Sequence, residues 1–531
     1  MGLPPALANL LSPDAYPHAV EDIKLVETHI SWIVLTGAFA YKIKRPVHFP
    51  FVDLRSAAHR AWLCELEITL NRRFAPDLYL AVCRITAGPA GARVNGSGEV
   101  LEHAVKMRQF DRSDELDRLL EADRVRPPEL ERFGSELARI HTELPVAEPG
   151  SQWGQPKAIE AAVARNLAEC QEAAGVFADV PELAALRPQL SHAVDRLLPM
   201  MAERQIRGRV RECHGDLHCG NVVRRASGLV AFDCLEFEPA FRWIDVADEI
   251  AFLVADLQSF DRPEHALAFL RGYLARSGDY QACRLVALYA SHHSLVRAKV
   301  VALSVAESAE PATVATARKR FDTYVGCAGA FLLPRRPLLI LMMGLSGSGK
   351  TWLASRLAPA IGALHLRSDV ERKRLAGLTE LQSSGSQVGS GLYAPRFSAQ
   401  VAEHLARAAE SILVGGYTVI VDATFNLRAD RDRFANLGSR LALPVCVVTC
   451  HAPIEVLRSR IETRRCQARD ASEADTQVLE WQQAHHEPLR PEESFLTIEA
   501  ITDAPDVLQQ VLRQIEGIRE REKGDSPVSP F

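Results

Sequence analysis

At 531 residues the chain exceeds what one hydrophobic core supports, so two or more domains are expected. The apolar fraction of 47% and charged fraction of 24% are those of an ordinary globular protein, and the net charge of −5 argues against a general binder of nucleic acids or membrane surfaces. No apolar run reaches the length of a membrane span; the longest, such as Leu338 to Met343, are strand-sized. The N-terminus lacks a basic segment backed by a long apolar stretch, so a cytoplasmic location is expected. The eleven cysteines contain no Cys-x-x-Cys pair, and most of them read as reduced core residues.

In chain order, Asp22 to Thr28, Trp32 to Leu35 and Phe39 to Lys44 read as strands, with a turn at Thr36-Gly37. Ser56 to Arg73 carries helical periodicity, and Leu78 to Ile85 and His103 to Phe110 read as further strands. From Ser113 to Phe331 the pattern is mostly helical, broken by short strands around Val222 and from Val230 to Asp233. Two prolines and two arginines at Pro334 to Pro337 mark a domain break. Beyond it strands alternate with helices: Leu338 to Met343, a helix from Lys350, Ala363 to Leu366, a helix from Ser398 to Leu413, Thr418 to Asp422, Pro444 to Cys450 and a helix from Ile454. That alternation argues for a parallel sheet wrapped by helices. The expected division is residues 1–332, residues 336–515 and a disordered tail over 516–531.

The first chemical signature is His214-Gly215-Asp216-Leu217-His218-Cys219-Gly220-Asn221, followed by Phe232-Asp233. A kinase catalytic loop needs an Asp at the substrate hydroxyl, an Asn five residues later for Mg²⁺, and a second Asp on the next hairpin for the metal that bridges the ATP phosphates. Asp216, Asn221 and Asp233 have that order. The motif and the plan of residues 20 to 330 resemble the aminoglycoside phosphotransferase and choline kinase superfamily, which shares the two-lobed protein-kinase-like fold. The resemblance implies that Asp216 is the catalytic base and that Asn221 and Asp233 are Mg²⁺ ligands. Phe39-Ala40-Tyr41-Lys42 stands where such a kinase carries its phosphate-gripping lysine, with Lys44 on the same strand face as the alternative. Glu67 on the following helix is the candidate partner of that lysine, with Glu65 second. No Gly-x-Gly-x-x-Gly precedes Lys42, and the turn Thr28 to Ser31 is left to cap phosphates through hydroxyls and amides. Glu236, Asp245, Asp248 and Glu249 would suit a cationic substrate if they line a cleft, or are helix-end and fold-stabilising charges. His292, His293, Arg297 and Lys299 read as a solvated helix face.

The second signature is Gly344-Leu345-Ser346-Gly347-Ser348-Gly349-Lys350-Thr351, a complete phosphate loop between an apolar strand and a helix. Its amides cradle phosphate oxygens, Lys350 reaches the β and γ phosphates, and Thr351 offers its hydroxyl to Mg²⁺. Val419 to Asp422 is an apolar strand ending in a carboxylate placed to contact the metal. Residues 336 to 515 resemble the P-loop kinases that include gluconate kinase, chloramphenicol phosphotransferase and the kinase part of polynucleotide kinase. The resemblance implies Asp369, after the second strand, as the base. Arg464, Arg465 and Arg469 form a basic run that suits either a lid neutralising the transferred phosphoryl group or, as the weaker reading, a nucleic-acid contact. The nucleotide-binding set is therefore Lys42, Glu67, residues 344 to 351, Arg464 and Arg469.

The sequence thus reads as an α+β protein-kinase-like domain followed by an α/β P-loop domain, together a Mg²⁺- and ATP-dependent phosphotransferase acting on small-molecule hydroxyls at two sites. Nucleic-acid and membrane partners are not expected. The rival readings are an ATP-binding regulator with one inactive domain, and a 5′-hydroxyl kinase of nucleic acids in the C-terminal domain.

Overall fold

The computed structural model describes residues 2–20, 22–49, 52–177, 180–306, 310–386, 390–467 and 470–524. It divides into two compact units, residues 1–266 with 288–331, and residues 267–287 with 332–531. Among the described residues no helix is long and apolar enough to cross a membrane.

The N-terminal unit begins with strands β1 (Lys24–Glu27), β2 (Ser31–Leu35) and β3 (Phe39–Lys44), then the short pair β4 (His48–Phe49) and β5 (Val52–Asp53). Three longer strands follow, β6 (Tyr79–Gly88), β7 (Gly91–Val94) and β8 (Val100–Arg108). They form an antiparallel six-stranded sheet in the order β1-β2-β3-β8-β6-β7. Both faces of β3 are covered. Leu7, Leu10 and Tyr16 pack with Tyr41 and Ile43 on one side, while Cys64 and Ile68 of helix Ala57–Asn71 pack with Ala40 on the other. The period of two therefore turns Lys42 and Lys44 together toward that helix.

The rest of this unit is helical, interrupted by two small strand pairs: β9 (Val210–Glu212) with β12 (Trp243–Asp245), and β10 (Val222–Arg225) with β11 (Gly228–Ala231). The β10–β11 hairpin lies between the His214 to Asn221 loop and Asp233. Its register sets Val222 opposite Ala231, and the Phe232 amide donates to the Asn221 carbonyl at 2.9 Å. Asn221 and Asp233 are brought close by that pairing.

The C-terminal unit is built on five parallel strands, β13 (Leu339–Met343), β14 (Ala363–Arg367), β15 (Thr418–Asp422), β16 (Val445–His451) and β17 (Leu496–Ile501), ordered β14-β15-β13-β16-β17. Every residue of central β13 is buried, as an unbroken apolar run in a parallel sheet requires. Residues 267–287 group with this unit although the sequence placed them in the N-terminal domain. Tyr280 donates its hydroxyl to the buried Glu371 carboxylate (2.8 Å), and Arg374 donates to the carbonyls of Ala275 (2.5 Å) and Arg276 (2.8 Å). The last helix, Val507–Gly524, takes in residues 516–524 of the expected disordered tail because its inner face, including Ile515 and Ile518, closes the core over β13 and β17.

Ile515 is fully buried in that core. Ile515→Ala is expected to cost about 2–5 kcal/mol, seen as a lowered urea midpoint for the C-terminal unit; an unchanged midpoint would show that the last helix does not close the core.

Candidate active sites

The N-terminal site is organised by one glutamate that holds two lysines. Lys42 Nζ donates to Glu67 Oε1 at 2.9 Å and Lys44 Nζ to Glu67 Oε2 at 2.6 Å, while Glu65 is exposed on the other face of the helix. Lys42 also reaches Asp233 (2.5 Å), and Lys44 pairs with Glu236. Burial alone would lower the Lys42 pKa, but the carboxylates of Asp233, Glu67 and Glu236 outweigh it and hold it well above its ordinary value. Lys44 is raised in the same way, burial being overcome by Glu236 and Glu67. The two lysines that the sequence offered as alternatives are thus one network.

Asp233 sits in the left-handed region at φ 65°, its amide donating to the Tyr79 hydroxyl (2.9 Å), while the next amide, of Cys234, donates to Asn71 Oδ1 (2.8 Å). Its side chain is 44% exposed. Asn221 Nδ2 donates both to the Asp216 carbonyl and to Asp216 Oδ2, each at 2.9 Å, which leaves the Asn221 amide oxygen for another partner. That oxygen, with the Asp233 carboxylate, is the hard oxygen donor set that suits Mg²⁺, so the residues present fit the metal.

Asp216 itself is half-buried, with His218 Nε2 at 3.6 Å. Burial opposes its ionisation, yet His218, His214 and Arg297 bring its carboxyl down to about 2. The loop around it is fixed from below. The amides of His214 and Gly215 donate to Glu249 (2.8 and 2.9 Å), and that of Cys219 donates to Asp256 (2.8 Å), which also accepts from Tyr324 (2.9 Å) and faces Arg297. Gly215 has φ +84°, and a Cβ there would meet the Phe241 carbonyl at 2.7 Å.

These contacts decide three readings that the sequence offered. The acidic residues after Asp233 do not form a cleft for a cation: Glu236 pairs with Lys44, Asp245 takes both arms of Arg204 at 2.7 Å, Asp248 pairs with His293 at 2.6 Å, and Glu249 holds the loop amides. His293 and Arg297 are not a solvated face either, since His293 stacks on Phe252 at 4.1 Å and Arg297 faces Asp256 beneath the loop. The turn Thr28 to Ser31 is closed by its own bonds, with the Thr28 amide on the Ser31 carbonyl and the Ser31 amide on Thr28 Oγ1, both 2.9 Å, so those two amides are not offered to phosphate. Sequence reasoning missed the anchoring roles of Asn71, Tyr79, Asp256 and Tyr324. They lie far from the motif, with no local pattern to mark them.

In the C-terminal unit the loop Gly344 to Gly349 leaves β13 at the carboxyl edge of the sheet and opens helix Lys350–Ile361, where open α/β sheets place ligands. Gly347 has φ +82°, and a Cβ there would meet the Leu457 carbonyl at 2.6 Å. Lys350, Thr351, Asp369, Asp422 and Arg464 all line one cleft of about 800 Å³, together with Ser346, Gly347 and Gly349 of the loop. Lys350 is 9% exposed; burial pulls its ammonium below its ordinary pKa, against the pull of Asp422. Burial pushes Asp422 up, but its bond to His365 (3.2 Å), the Lys350 charge and the Thr351 hydroxyl together hold it below its usual range. The Thr351 hydroxyl and Asp422 carboxylate are again hard oxygen donors side by side and fit Mg²⁺. Arg464 donates to the Ala474 carbonyl at 2.9 Å; Arg465 is exposed, and Arg469 lies outside the described residues. Arg460, one turn before Arg464 and not singled out from sequence, bonds Thr502 Oγ1 (2.9 Å) at the rim of the same cleft.

Residues 52–286 match the model of the phosphotransferase enzyme family, and residues 339–489 match an AAA domain model. An uncharacterized protein of Mycobacterium tuberculosis is 28% identical over 476 residues, 89% of this chain and 92% of that protein. Among solved structures, choline kinase from Cryptosporidium parvum is 12% identical with a TM-score of 0.35, covering 59% of this chain and 91% of its own. A gluconokinase from Sinorhizobium meliloti is 21% identical with a TM-score of 0.25, covering 36% and 99%.

The Lys44 substitution tests the N-terminal network. Lys44→Met leaves Glu236 without its cation and is expected to cost about 3–5 kcal/mol, measured by urea unfolding of the full chain; a loss below about 1 kcal/mol would mean that the buried carboxylates find other partners.

Proposed function

We propose that the two kinase domains of this chain, one of the phosphotransferase enzyme family and one a P-loop kinase, are both active, each passing the γ-phosphoryl group of ATP to a small-molecule hydroxyl. The observation that carries this reading is that each unit, by itself, gathers a buried lysine, a half-buried carboxylate and a pair of hard oxygen donors. Each set has the lysine, base and metal-donor positions that phosphoryl transfer uses, and only the glycine-rich loop over the phosphates is wanting, in the N-terminal domain.

In the N-terminal domain Lys42 grips ATP phosphates, kept in register by Glu67, and Asn221 and Asp233 hold Mg²⁺. In the C-terminal domain the 344 to 351 loop and Lys350 hold the phosphates, Arg464 with Arg469 neutralises the transferring group, and Thr351 and Asp422 hold the metal. Bound Mg²⁺ supplies charge neutralisation of the phosphate oxygens in both domains. The protein's own residues then orient the acceptor. Its hydroxyl oxygen bonds to the γ phosphorus as the bond from phosphorus to the ADP oxygen breaks, and the hydroxyl proton passes to Asp216 in one site and Asp369 in the other. Asp216 is held in place by Asn221 Nδ2, so it acts as an oriented acceptor. A cytoplasmic setting, with ATP and small alcohols as partners, completes the proposal.

Transfer of labelled γ-phosphate to a panel of metabolites tests it. Asp216→Asn is expected to lower one product by about 10²–10⁴-fold and leave the other. Lys350→Ala is expected to do the reverse, with a loss of about 10²–10³-fold. Chelation of Mg²⁺ should abolish both. Products that survive both substitutions would sink the assignment, and a single product lost in only one variant would leave the other domain a nucleotide-binding regulator.

A further inference from the structure

Beside Lys42 the N-terminal unit carries a second lysine that is too deeply buried to meet a nucleotide itself. Lys44 stands two residues along β3 on the same face, and its side chain is 2% exposed. Its ammonium lies between Glu67 Oε2 (2.6 Å) and the carboxylate of Glu236.

An ammonium group has three donors. Lys42 gives one to Glu67 Oε1 (2.9 Å) and one to Asp233 Oδ1 (2.5 Å), which leaves one for a phosphate oxygen. That division holds because each oxygen of Glu67 has its own lysine and because Glu236 is served by Lys44. Two ammonium groups thus face three carboxylates.

Glu236 is kept in this place by its backbone, independently of Lys44. The Leu235 amide donates to the His214 carbonyl (3.1 Å), and Arg242 Nη1 donates to the Glu236 carbonyl (3.2 Å). Arg242 is in turn fixed by Glu212 (3.1 Å), which also accepts from Arg73 (2.8 Å). On the other side the Cys234 amide donates to Asn71 Oδ1 (2.8 Å), and Asn71 lies one turn from Glu67 and returns its Nδ2 to the Glu67 carbonyl (3.0 Å). The Glu236 side chain, 4% exposed, therefore stays beside the lysines whether or not Lys44 is charged. A buried carboxylate deprived of its cation draws on the nearest donor that remains, and Glu236 is already among the carboxylates that act on the Lys42 ammonium.

We infer that Lys44 is a positioning residue for nucleotide binding: by holding Glu236 and the second oxygen of Glu67, it leaves the third donor of Lys42 to the phosphates. This rests on the reading of Lys42 as the lysine that grips ATP. Without Lys44, Glu236 and Glu67 Oε2 turn to Lys42, and one ammonium against three carboxylates faces a polyanion. Removing the Glu236 charge as well relieves that competition, so the effect of losing Lys44 is reversible by a second substitution.

The test is a calorimetric titration of the full chain carrying Lys350→Ala, which silences the phosphate loop, with the β,γ-imido analogue of ATP and Mg²⁺. Adding Lys44→Met is expected to raise Kd by about 10- to 100-fold, the worth of one hydrogen bond to a charged group, with one nucleotide still bound per folded chain. A shifted Kd at unchanged stoichiometry is what a purely structural role would not produce. Adding Lys44→Met together with Glu236→Gln is expected to return Kd to that of the Lys350→Ala chain. An unchanged Kd in Lys44→Met, with binding abolished by Lys42→Ala, overturns the inference and leaves the nucleotide site standing. A weakening that persists in the double substitution also overturns it, because Lys44 would then act through its own charge. If Lys44→Met does not fold, the double substitution decides alone: the parental Kd bears the inference out, and a weakened Kd overturns it. No binding by the Lys350→Ala chain, or binding that survives Lys42→Ala, ends the reading of Lys42 and the inference with it.

Discussion

An ammonium group taken out of water costs several kcal/mol unless carboxylates or phosphates face it. Lys42, Lys44 and Lys350 are only 8%, 2% and 9% exposed, and much of each unit is arranged around that constraint. In the N-terminal unit the counter-charge comes from three different elements: Glu67 on the helix, Asp233 after the β10–β11 hairpin, and Glu236 in the segment that follows. Neutralising two lysines therefore ties the sheet, its helix and the turn that carries Asp233 into one body. In the C-terminal unit Asp422 faces Lys350 across the sheet edge, and parallel pairing of β13 with β15 brings the two together.

The two sites solve the same problem with different backbones. The first depends on side chains to hold its loop, with Glu249 and Asp256 each buried beneath it and accepting its amides. The second depends on the loop backbone itself, where positive φ at Gly344, Gly347 and Gly349 is the local cost of turning the chain from β13 into helix Lys350–Ile361. Beyond that loop Phe425 has a φ of 49°, and its carbonyl accepts from buried Arg431, which forks onto Glu493.

Much of this was legible in the sequence where local pattern and global fold agree. β3 and β15 have the bounds that alternation and apolar runs suggested, and the two-lobed plan followed by a parallel sheet is the architecture found. Two edge strands, β7 and β17, were not legible, unlike the edge strands β1 and β14. β7 is four residues in a Gly-rich stretch, and β17 buries only Ile498 and Ala500, so neither carries a strong signal. The candidate residues that belong to motifs stand out in the sequence, whereas Asn71, Tyr79, Asp256 and Arg431 make contacts distant in sequence or outside any motif and leave no spacing to read. The acidic residues after Asp233 were left with two readings for the opposite reason: their clustering was visible, but the separate partners Lys44, Arg204 and His293 that make them fold-stabilising charges were not.

The central claim is that the chain holds two separate nucleotide sites, each centred on its own lysine. Equilibrium titration with a non-hydrolysable ATP analogue and Mg²⁺ tests it most directly. The account predicts two bound nucleotides per chain, falling to one in Lys42→Ala and to one in Lys350→Ala. A single site lost in Lys350→Ala and indifferent to Lys42→Ala would contradict it.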